Sequence, residues 1–341
     1  MDRRKFIQNS AGVTASFFIA KDLFAVDKGP VYGHNNMKYT LDTKWGTLDS
    51  AKFPVNDCHE MVQDKKGRII LLTNETKNNI LIYNKSGKLL DSWGHDFPGG
   101  HGLTIADENG TQFLYITDTS KHQVYKTTMD GKILMTIDVP MDPGIYKNAK
   151  EFVPTEVAVD SNGDFFIADG YGYQYILHYG HDGKFKGYFG GRGKGDEHLD
   201  NAHGIVVDRR SGTPSLLVTD RTRNCFKRFS MDGKLLEIIN LPGACVCRPV
   251  IKNDYLYAAV LRSPNLDNTG SGFTTILDKD NKVVSNIGGT EPVYKDGKLQ
   301  PMSQAEKIFV HPHDVCVDDD ENLYVAQWAS GKVYPYKFKR V

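Results

Sequence analysis

Short apolar segments that end in a polar residue recur along the whole chain. They read LYITD at 114–118, FFIAD at 165–169 and LLVTD at 216–220, with the variants ILLTN at 70–74 and LYVAQ at 323–327. Runs of this length, rich in β-branched and aromatic residues, predict β-strands because such side chains pack well on a pleated surface. The pattern therefore predicts a β-protein built from repeated units.

A second recurring phrase follows these segments and predicts a tight turn. It places Gly before Lys at residues 87, 131, 183 and 233, and a divergent copy has Asn281 before Lys282. Successive copies are 44, 52, 50 and 48 residues apart. The Asp-Gly pair found in three copies supplies the positive φ that a short hairpin turn requires. Each copy therefore predicts a hairpin between two strands.

A third phrase precedes the first two and completes a four-stranded unit. It runs from His59, Thr155, His203 or His313 to an acidic residue five positions later, and the copy that starts at His101 has one extra residue. Four short strands in each 42 to 65 residues are typical of a propeller blade. The sequence predicts six blades whose first strands lie near residues 59, 101, 155, 203, 248 and 313.

The two ends of the chain supply complementary parts of the last blade. The sixth unit ends one strand short at residue 341, and residues 40–46 resemble the fourth strand of the first unit at 90–94. We therefore expect the N-terminal strand to close the ring as the outer strand of the last blade. The predicted fold is an all-β, six-bladed β-propeller that spans residues 26–341.

The first residues have the pattern of an export signal. Arg3 and Arg4 are followed by Lys5 and Phe6, and an apolar stretch covers residues 11–20. This arrangement resembles the twin-arginine motif, and residues 23–25 could precede a cleavage site. We expect residues 1–25 to be a signal peptide that is read by the twin-arginine export machinery. The protein is then expected in the periplasm or outside the cell.

Charge and cysteine content exclude several classes of protein. The 42 Lys and Arg residues balance the 42 Asp and Glu residues, which argues against nucleic acid as a partner because such binding needs a basic surface. The five Cys residues are an odd number and cannot all form disulfides within the chain. No apolar run reaches the roughly 18 residues that a transmembrane helix requires.

Four histidines occupy equivalent positions in the predicted first strands. His59, His101, His203 and His313 each start the third phrase, and first strands line the central channel of a propeller. Neutral imidazoles that converge on one axis are suitable ligands for zinc or another divalent transition metal. Arg248, placed at the corresponding position of the fifth blade, would add positive charge. The alternative is that these histidines are structural residues of the repeat, each held by hydrogen bonds.

The blade pattern resembles that of six-bladed propellers built from NHL repeats. Within that group, three segments are similar to the zinc-binding segments of peptidyl-α-hydroxyglycine α-amidating lyases: Gly100-His101, Ala202-His203 and Pro312-His313. These enzymes split a peptidyl α-hydroxyglycine into an amide and glyoxylate. The resemblance implies that His101, His203 and His313 are zinc ligands.

Further residues take their predicted roles from the same resemblance. Tyr171 matches the tyrosine that removes the substrate hydroxyl proton, and Arg221 matches an arginine that binds the substrate, here expected to hold its carboxylate. A structural calcium ion in the family is bound by an Asp and two backbone carbonyls, which correspond to Asp314, Leu103 and Met61. Calcium prefers such oxygen ligands.

The chain departs from the family at several of these positions. An arginine of the first blade is replaced by Asn74, and a neutral amide cannot replace a fixed positive charge beside a tyrosine base. His59 and His311 are additional histidines, and each could bind the metal or transfer protons. Two cysteines of a family disulfide correspond to Val153 and Gly172.

These features lead to a main hypothesis and two alternatives. The main hypothesis is an exported, metal-dependent lyase that acts on a peptide or small molecule with a carboxylate. A metal-dependent hydrolase or lactonase on the same scaffold is a variant of it. The alternatives are a propeller without catalytic activity that binds protein or glycan, and a sensor or electron-transfer protein with a histidine-bound metal. Stoichiometric metal that is lost when His203 is removed would support the main hypothesis.

Overall fold

The computed structural model describes residues 29–142 and 144–341, which form an all-β structure of 28 strands and one short 3₁₀ turn at Ala149–Glu151. The predicted signal peptide at residues 1–25 lies outside the described residues. No helix in the described part of the chain is long and apolar enough to cross a membrane. All five cysteines are buried and free.

The first three blades are four-stranded antiparallel sheets, and each is described from its inner strand outward. Blade 1 contains Cys58–Gln63, Ile69–Thr73, Ile80–Tyr83 and Leu89–Trp93. Blade 2 contains Gly100–Glu108, Thr111–Asp118, Gln123–Thr128 and Ile133–Ile137. Blade 3 contains Glu156–Val159, Phe165–Ala168, Tyr175–Tyr179 and Phe185–Gly190.

The last three blades follow the same order, with variations in the fifth and sixth. Blade 4 contains Ile205–Asp208, Ser215–Asp220, Cys225–Phe229 and Leu235–Asn240. Blade 5 has an inner strand in two pieces, Cys245–Val246 and Val250–Lys252, followed by Tyr255–Arg262, Phe273–Leu277 and Val283–Ile287. Blade 6 contains Pro312–Val317, Leu323–Gln327, Tyr336–Arg340, Met37–Asp42 and Val31–His34. A small hairpin of Tyr294–Lys295 and Lys298–Leu299 lies between blades 5 and 6.

The six blades form a closed ring. Each inner strand contacts the inner strands of both neighbouring blades, and the sixth contacts the first. The described residues contain six buried apolar clusters, and each cluster combines side chains of two adjacent blades. The core is therefore distributed between blades, and the predicted six-bladed propeller is confirmed.

The recurring turns pack against the preceding blade. Gly131 has a φ of 92°, and a Cβ atom there would lie 2.6 Å from the ring of Trp93 in the outer strand of blade 1. The indole Nε1 of Trp93 donates to the carbonyl of Met129 in the same turn. Glycine is needed at this position both for the turn and for the ring that covers it. The repeated phrase thus marks the contacts between blades.

The N-terminal segment closes the ring as predicted, at a slightly earlier position. Met37–Asp42 pairs with Tyr336–Arg340 of blade 6, whereas the sequence placed this strand at residues 40–46. Trp45 lies beyond the strand, where its Nε1 donates to the carbonyl of Lys85. This contact repeats the one that Trp93 makes with the next blade. The similarity between the two segments thus reflects the tryptophan contact as well as the strand.

We expect the closing strand to be a major source of stability. Tyr39 is fully buried in the cluster between blades 5 and 6, and loss of a large buried aromatic side chain costs about 3–5 kcal/mol. Tyr39→Ala should therefore lower the free energy of unfolding by about that amount in urea titrations. Lys38→Ala, on the exposed face of the same strand, should change it by less than about 0.5 kcal/mol. Equal effects of the two substitutions would contradict this role.

Candidate active site

Four histidines meet at one level of the central channel. The ring centroids of His59, His101 and His313 lie 4.9 Å from one another, and His203 lies 4.8 Å from both His101 and His313. The four rings therefore form two triangles that have His101 and His313 in common. His59 is the third member of one triangle, and His203 is the third member of the other. Possible ligand atoms of His59, His101 and His313 lie within 4.8 Å of one another. The predicted convergence of the four side chains is thus present in the structure.

These rings are neutral at physiological pH. Burial lowers the pKa of His59 to about 3. The pKa values of His101, His203 and His313 also fall well below the usual range because of burial, and nearby histidines and Arg221 lower them further. A neutral imidazole is the form that binds a metal ion. The site therefore needs no deprotonation to accept one.

The hydrogen bonds of these histidines leave nitrogen atoms directed into the channel. The Nδ1 atoms of His101 and His313 lie 2.9 Å and 3.0 Å from the carbonyls of Thr155 and His59, which assigns their protons to Nδ1 and leaves Nε2 as the ligand atom. Both ring nitrogens of His203 and Nδ1 of His59 are buried without a hydrogen-bond partner among the described residues. These nitrogens of His203 and His59, next to the oriented rings of His101 and His313, are suitable ligands for a zinc ion.

Tyr171 lies next to the histidines. Its hydroxyl is 3.0 Å from Nε2 of His101, and its ring is 5.7 Å from that of His203. The residue as a whole is 41% exposed, although its hydroxyl contacts a buried histidine. Burial of the hydroxyl end raises the pKa of Tyr171, while the charge of Arg221 and a hydrogen bond with it act in the opposite direction. The structure thus brings the predicted base to the predicted metal ligands.

Arg221 is a channel residue rather than a surface one. It is 3% exposed, its Nε donates to the carbonyl of Val246, and its Nη2 lies 3.2 Å from Sγ of Cys247. Burial acts to lower the pKa of Arg221, but the nearby Cys247 and Tyr171 outweigh it and raise the pKa. A buried guanidinium beside the tyrosine hydroxyl is well placed to attract an anion into the site.

A buried carboxylate fixes the turn that carries Tyr171. Asp169 accepts hydrogen bonds from the backbone nitrogens of Val153 and Tyr173, both at 2.6 Å, and from the hydroxyl of Tyr146 at 2.8 Å. A Cβ atom at Gly172 would lie 2.1 Å from Oδ1 of Asp169. Burial raises the pKa of Asp169 to about 7, although these donors oppose the change. At Val153 and Gly172, where the resemblance placed disulfide cysteines, the Asp169 carboxylate instead joins Val153 to the turn that contains Gly172.

A cavity of about 400 Å³ opens from the histidines to the surface. Its lining includes His59, His101, Tyr171, Asn74 and Trp328. The Asn74 amide binds the Asn56 side chain and the Asp57 backbone and side chain. The position assigned to the missing arginine therefore does line this cavity, which is the mouth of the site, and its side chain is hydrogen-bonded to Asn56 and Asp57.

His311 does not join the group of channel histidines. Its Nε2 accepts a hydrogen bond from the backbone nitrogen of Gly270 at 3.2 Å, and its Nδ1 lies 3.4 Å from the carbonyl of Ala329. Burial lowers the pKa of His311. The catalytic role of His311 stays a prediction, and in the structure both of its ring nitrogens contact loops beside blade 6.

Arg248 also lies at a different position from the one predicted. The hydroxyl of Thr117 binds the carbonyl of Thr155, and in the same way the hydroxyl of Thr219 binds the carbonyl of Cys247. Cys247 therefore occupies the histidine position of blade 5, and Arg248 belongs to the next layer of the channel. The register error arose because the inner strand of this blade is interrupted between Val246 and Val250.

The predicted calcium ligands surround this arginine. The carbonyls of Leu103 and Met61 accept hydrogen bonds from Arg248 at 2.9 Å and 3.0 Å, and Asp314 accepts two at 3.0 Å and 2.8 Å. The three residues do converge, but the cation at their centre is a guanidinium. These residues therefore do not fit a calcium site, and the prediction of calcium is corrected.

Sequence reasoning missed residues that support the site. Thr155 orients His101, and Glu60 and Glu156 share the layer of Arg248. Burial and the nearby carboxylates raise the pKa of Glu60, and Arg248 acts against them. An acidic residue directly after the histidine position in blades 1, 3 and 6 was the available signal.

Comparisons with known proteins show similarity in sequence and in fold. No family model matches the chain. It is 40% identical over 105 residues to peptidyl-α-hydroxyglycine α-amidating lyase 1 of Drosophila melanogaster, covering 29% of this chain and 18% of that protein. It is 37% identical over 273 residues to peptidyl-glycine α-amidating monooxygenase A of Xenopus laevis, and this match covers 76% of this chain and 27% of that protein. NHL repeat-containing protein 3 of Homo sapiens is 25% identical over 191 residues, covering 48% and 55%.

The matches to the amidating enzymes thus cover less than a third of those proteins' own length. Among solved structures, a streptogramin B lyase superposes with a TM-score of 0.59 at 15% identity, over 88% of this chain and 97% of that one. A gluconolactonase from Xanthomonas campestris gives a TM-score of 0.58 at 11% identity, over 92% and 98%. These structures share the fold. The chain is a six-bladed β-propeller whose sequence resembles those of peptidyl-α-hydroxyglycine α-amidating lyases and NHL repeat proteins.

Proposed function

We propose that this chain is an exported, metal-dependent lyase that cleaves the C–N bond of an α-hydroxyglycine or a similar carboxylate-bearing substrate. One observation carries the proposal: the Tyr171 hydroxyl lies 3.0 Å from Nε2 of a buried, neutral histidine that belongs to both histidine triangles. The local similarity to amidating lyases supports the same reaction. Export is supported by the twin-arginine pattern in residues 1–25.

The metal ion would be held by His101 and His313 together with His203, and His59 stands at the cavity side as a possible further ligand. We prefer His203 because both of its nitrogens are buried with no hydrogen-bond partner among the described residues, and because its ring centroid lies 5.7 Å from that of Tyr171. When bound, a zinc-type ion would polarise the substrate hydroxyl. The hydrogen bonds to the carbonyls of Thr155 and His59 keep two of the ligands in position.

The chain's own groups account for the remaining steps. Arg221 would attract the substrate carboxylate into the channel and hold it close to the tyrosine. Tyr171, whose phenolate form is favoured by the charge of Arg221 and by a hydrogen bond with it, would take the proton of the substrate hydroxyl while the C–N bond breaks. The hydroxyl carbon becomes the aldehyde of glyoxylate, and the amide nitrogen gains the proton. The overall reaction needs no oxidant and no added water.

The mouth of the site is where this chain is expected to differ from its relatives. Asn74 stands where the resemblance places an arginine, and its amide is bound by Asn56 and Asp57. The mouth therefore offers an amide instead of a guanidinium, so we expect weaker selection for a second negative charge on the substrate. A substrate other than a peptide would be compatible with this neutral mouth.

The reaction can be tested with a short peptide ending in α-hydroxyglycine. We expect the zinc-loaded protein to release glyoxylate and the peptide amide in equal amounts, and the same peptide ending in glycine to give neither. Gluconolactone in a parallel assay tests the hydrolase variant. Hydrolysis of the lactone without release of glyoxylate would show that the protein is a hydrolase and not a lyase. A metal-loaded protein that acts on neither substrate would favour a propeller that only binds its partner.

A further inference from the structure

The channel contains a second layer of charged residues directly below the histidines. Each blade contributes the residue that follows its histidine position: Glu60, Gly102, Glu156, Gly204, Arg248 and Asp314. The two glycines leave room for the others, since a Cβ atom at Gly204 would lie 2.5 Å from Cα of Arg248. Three acidic side chains thus face one basic side chain around the channel axis.

Arg248 is bound from several directions. Its Nε and Nη2 donate to the two carboxylate oxygens of Asp314, Nη1 donates to the carbonyl of Leu103, and Nη2 also donates to the carbonyl of Met61. The carboxylates of Glu60 and Glu156 lie 3.5 Å and 3.7 Å away. The guanidinium therefore joins blades 1, 2, 3 and 6 to blade 5.

The charge of this layer requires a cation. The side chains of Glu60, Glu156 and Asp314 are completely buried, and a buried carboxylate without a partner is strongly unfavourable. Carboxylate and carbonyl oxygens are also the ligands that a hard divalent cation takes. The oxygens already bonded to the guanidinium could bind such a cation only if Arg248 were displaced.

We infer that Arg248 is a built-in structural cation, which occupies an internal divalent-cation site and makes the ring independent of calcium. The interrupted inner strand of blade 5 allows this. Cys247 still donates its backbone nitrogen to the carbonyl of Ala259, but Arg248 lies in the break between Val246 and Val250, and its side chain reaches the carbonyl of Met61 in blade 1. Removal of the side chain should open an oxygen-lined site for a calcium ion. The inference does not depend on the proposed lyase activity.

The experiment compares calcium binding and thermal unfolding of the zinc-loaded wild type with three variants. The wild type should bind no calcium in equilibrium dialysis, and calcium chloride should not change its Tm. R248A should unfold roughly 10 °C lower without calcium. It should bind one calcium ion and regain most of this loss in a saturable way. R248M, which fills the space without charge, and R248A/D314N, which lacks a ligand, should be destabilised without recovery.

Three results would overturn the inference. Stoichiometric calcium in the wild type, or a rise of its Tm with calcium, would show that an ion and not Arg248 fills the site. A folded R248A that neither binds calcium nor responds to it would show that the oxygens do not form a cation site. Failure of R248A to fold even when it is produced and refolded with calcium would show that an ion cannot replace the guanidinium.

Discussion

Replacing His313 with alanine is expected to abolish metal binding and to lower the turnover by about a thousandfold. His313 belongs to both histidine triangles, so its loss disrupts either ligand set. A metal that stabilises developing charge contributes several kcal/mol, and about 4 kcal/mol corresponds to a factor of roughly a thousand in rate. Metal content by mass spectrometry and glyoxylate release should therefore fall together.

A matched control separates this effect from general damage. His95 is exposed and contacts the carbonyl of Thr76, so His95→Ala should retain the metal and the activity. Circular dichroism should show that both variants keep the β-fold. A folded His313→Ala protein with wild-type metal content would contradict the assignment of the channel histidines.

Two further substitutions identify the third ligand. We expect His203→Ala to lose the metal as completely as His313→Ala, because both nitrogens of His203 are buried with no partner in the described part of the chain. His59→Ala should keep the metal with a lower affinity, since His59 lies on the cavity side of His101 and His313. The reverse order of affinities would place the ion in the triangle of His59, His101 and His313 instead.

Replacing Tyr171 with phenylalanine is expected to reduce kcat by about a hundredfold to ten-thousandfold, the usual contribution of a general acid or base. The substitution removes the hydroxyl that lies 3.0 Å from Nε2 of His101 and keeps the ring in the lining of the cavity. Metal content and KM should change little, because neither the ligands nor Arg221 are altered. Steady-state kinetics of the zinc-loaded variant provide the test.

Tyr173→Phe is the appropriate comparison for this variant. Tyr173 lies two residues further along the same turn, and its ring stacks on Tyr146 outside the histidine group. Its loss of a hydroxyl should leave kcat within about a factor of two of the wild type. If Tyr171→Phe turned over at the wild-type rate, the Tyr171 hydroxyl would not take part in the reaction. A rise of KM alone would indicate that Tyr171 binds substrate without transferring a proton.

The period of the turn phrases was sufficient to predict the blades, because each blade repeats the same contact with its neighbour. The packing of Trp93 on Gly131 is one such contact. The spacing of the two residues along the sequence must be kept for this contact to form. The same logic aligned the four histidines, since equivalent positions of a ring face one axis. Fold and histidine convergence were therefore readable from local sequence.

The roles of Arg248 and His311 depended on contacts that sequence spacing does not encode. Arg248 binds carbonyls 145 and 187 residues away, and only the folded ring shows that its side chain reaches them. Because the inner strand of blade 5 is interrupted before Val250, the sequence alignment placed Arg248 at the histidine position that Cys247 occupies. His311 is two residues from a predicted metal ligand, yet its ring turns to Gly270 and Ala329.

The most direct test of the account is the metal content of the purified, folded wild-type protein. The four buried, neutral histidines predict about one tightly bound zinc or similar divalent ion per chain. Chelation should remove this ion, and glyoxylate release should disappear with it and return when zinc is restored. A folded protein that contains no transition metal, and binds none when it is offered, would contradict the metal centre and with it the proposed lyase.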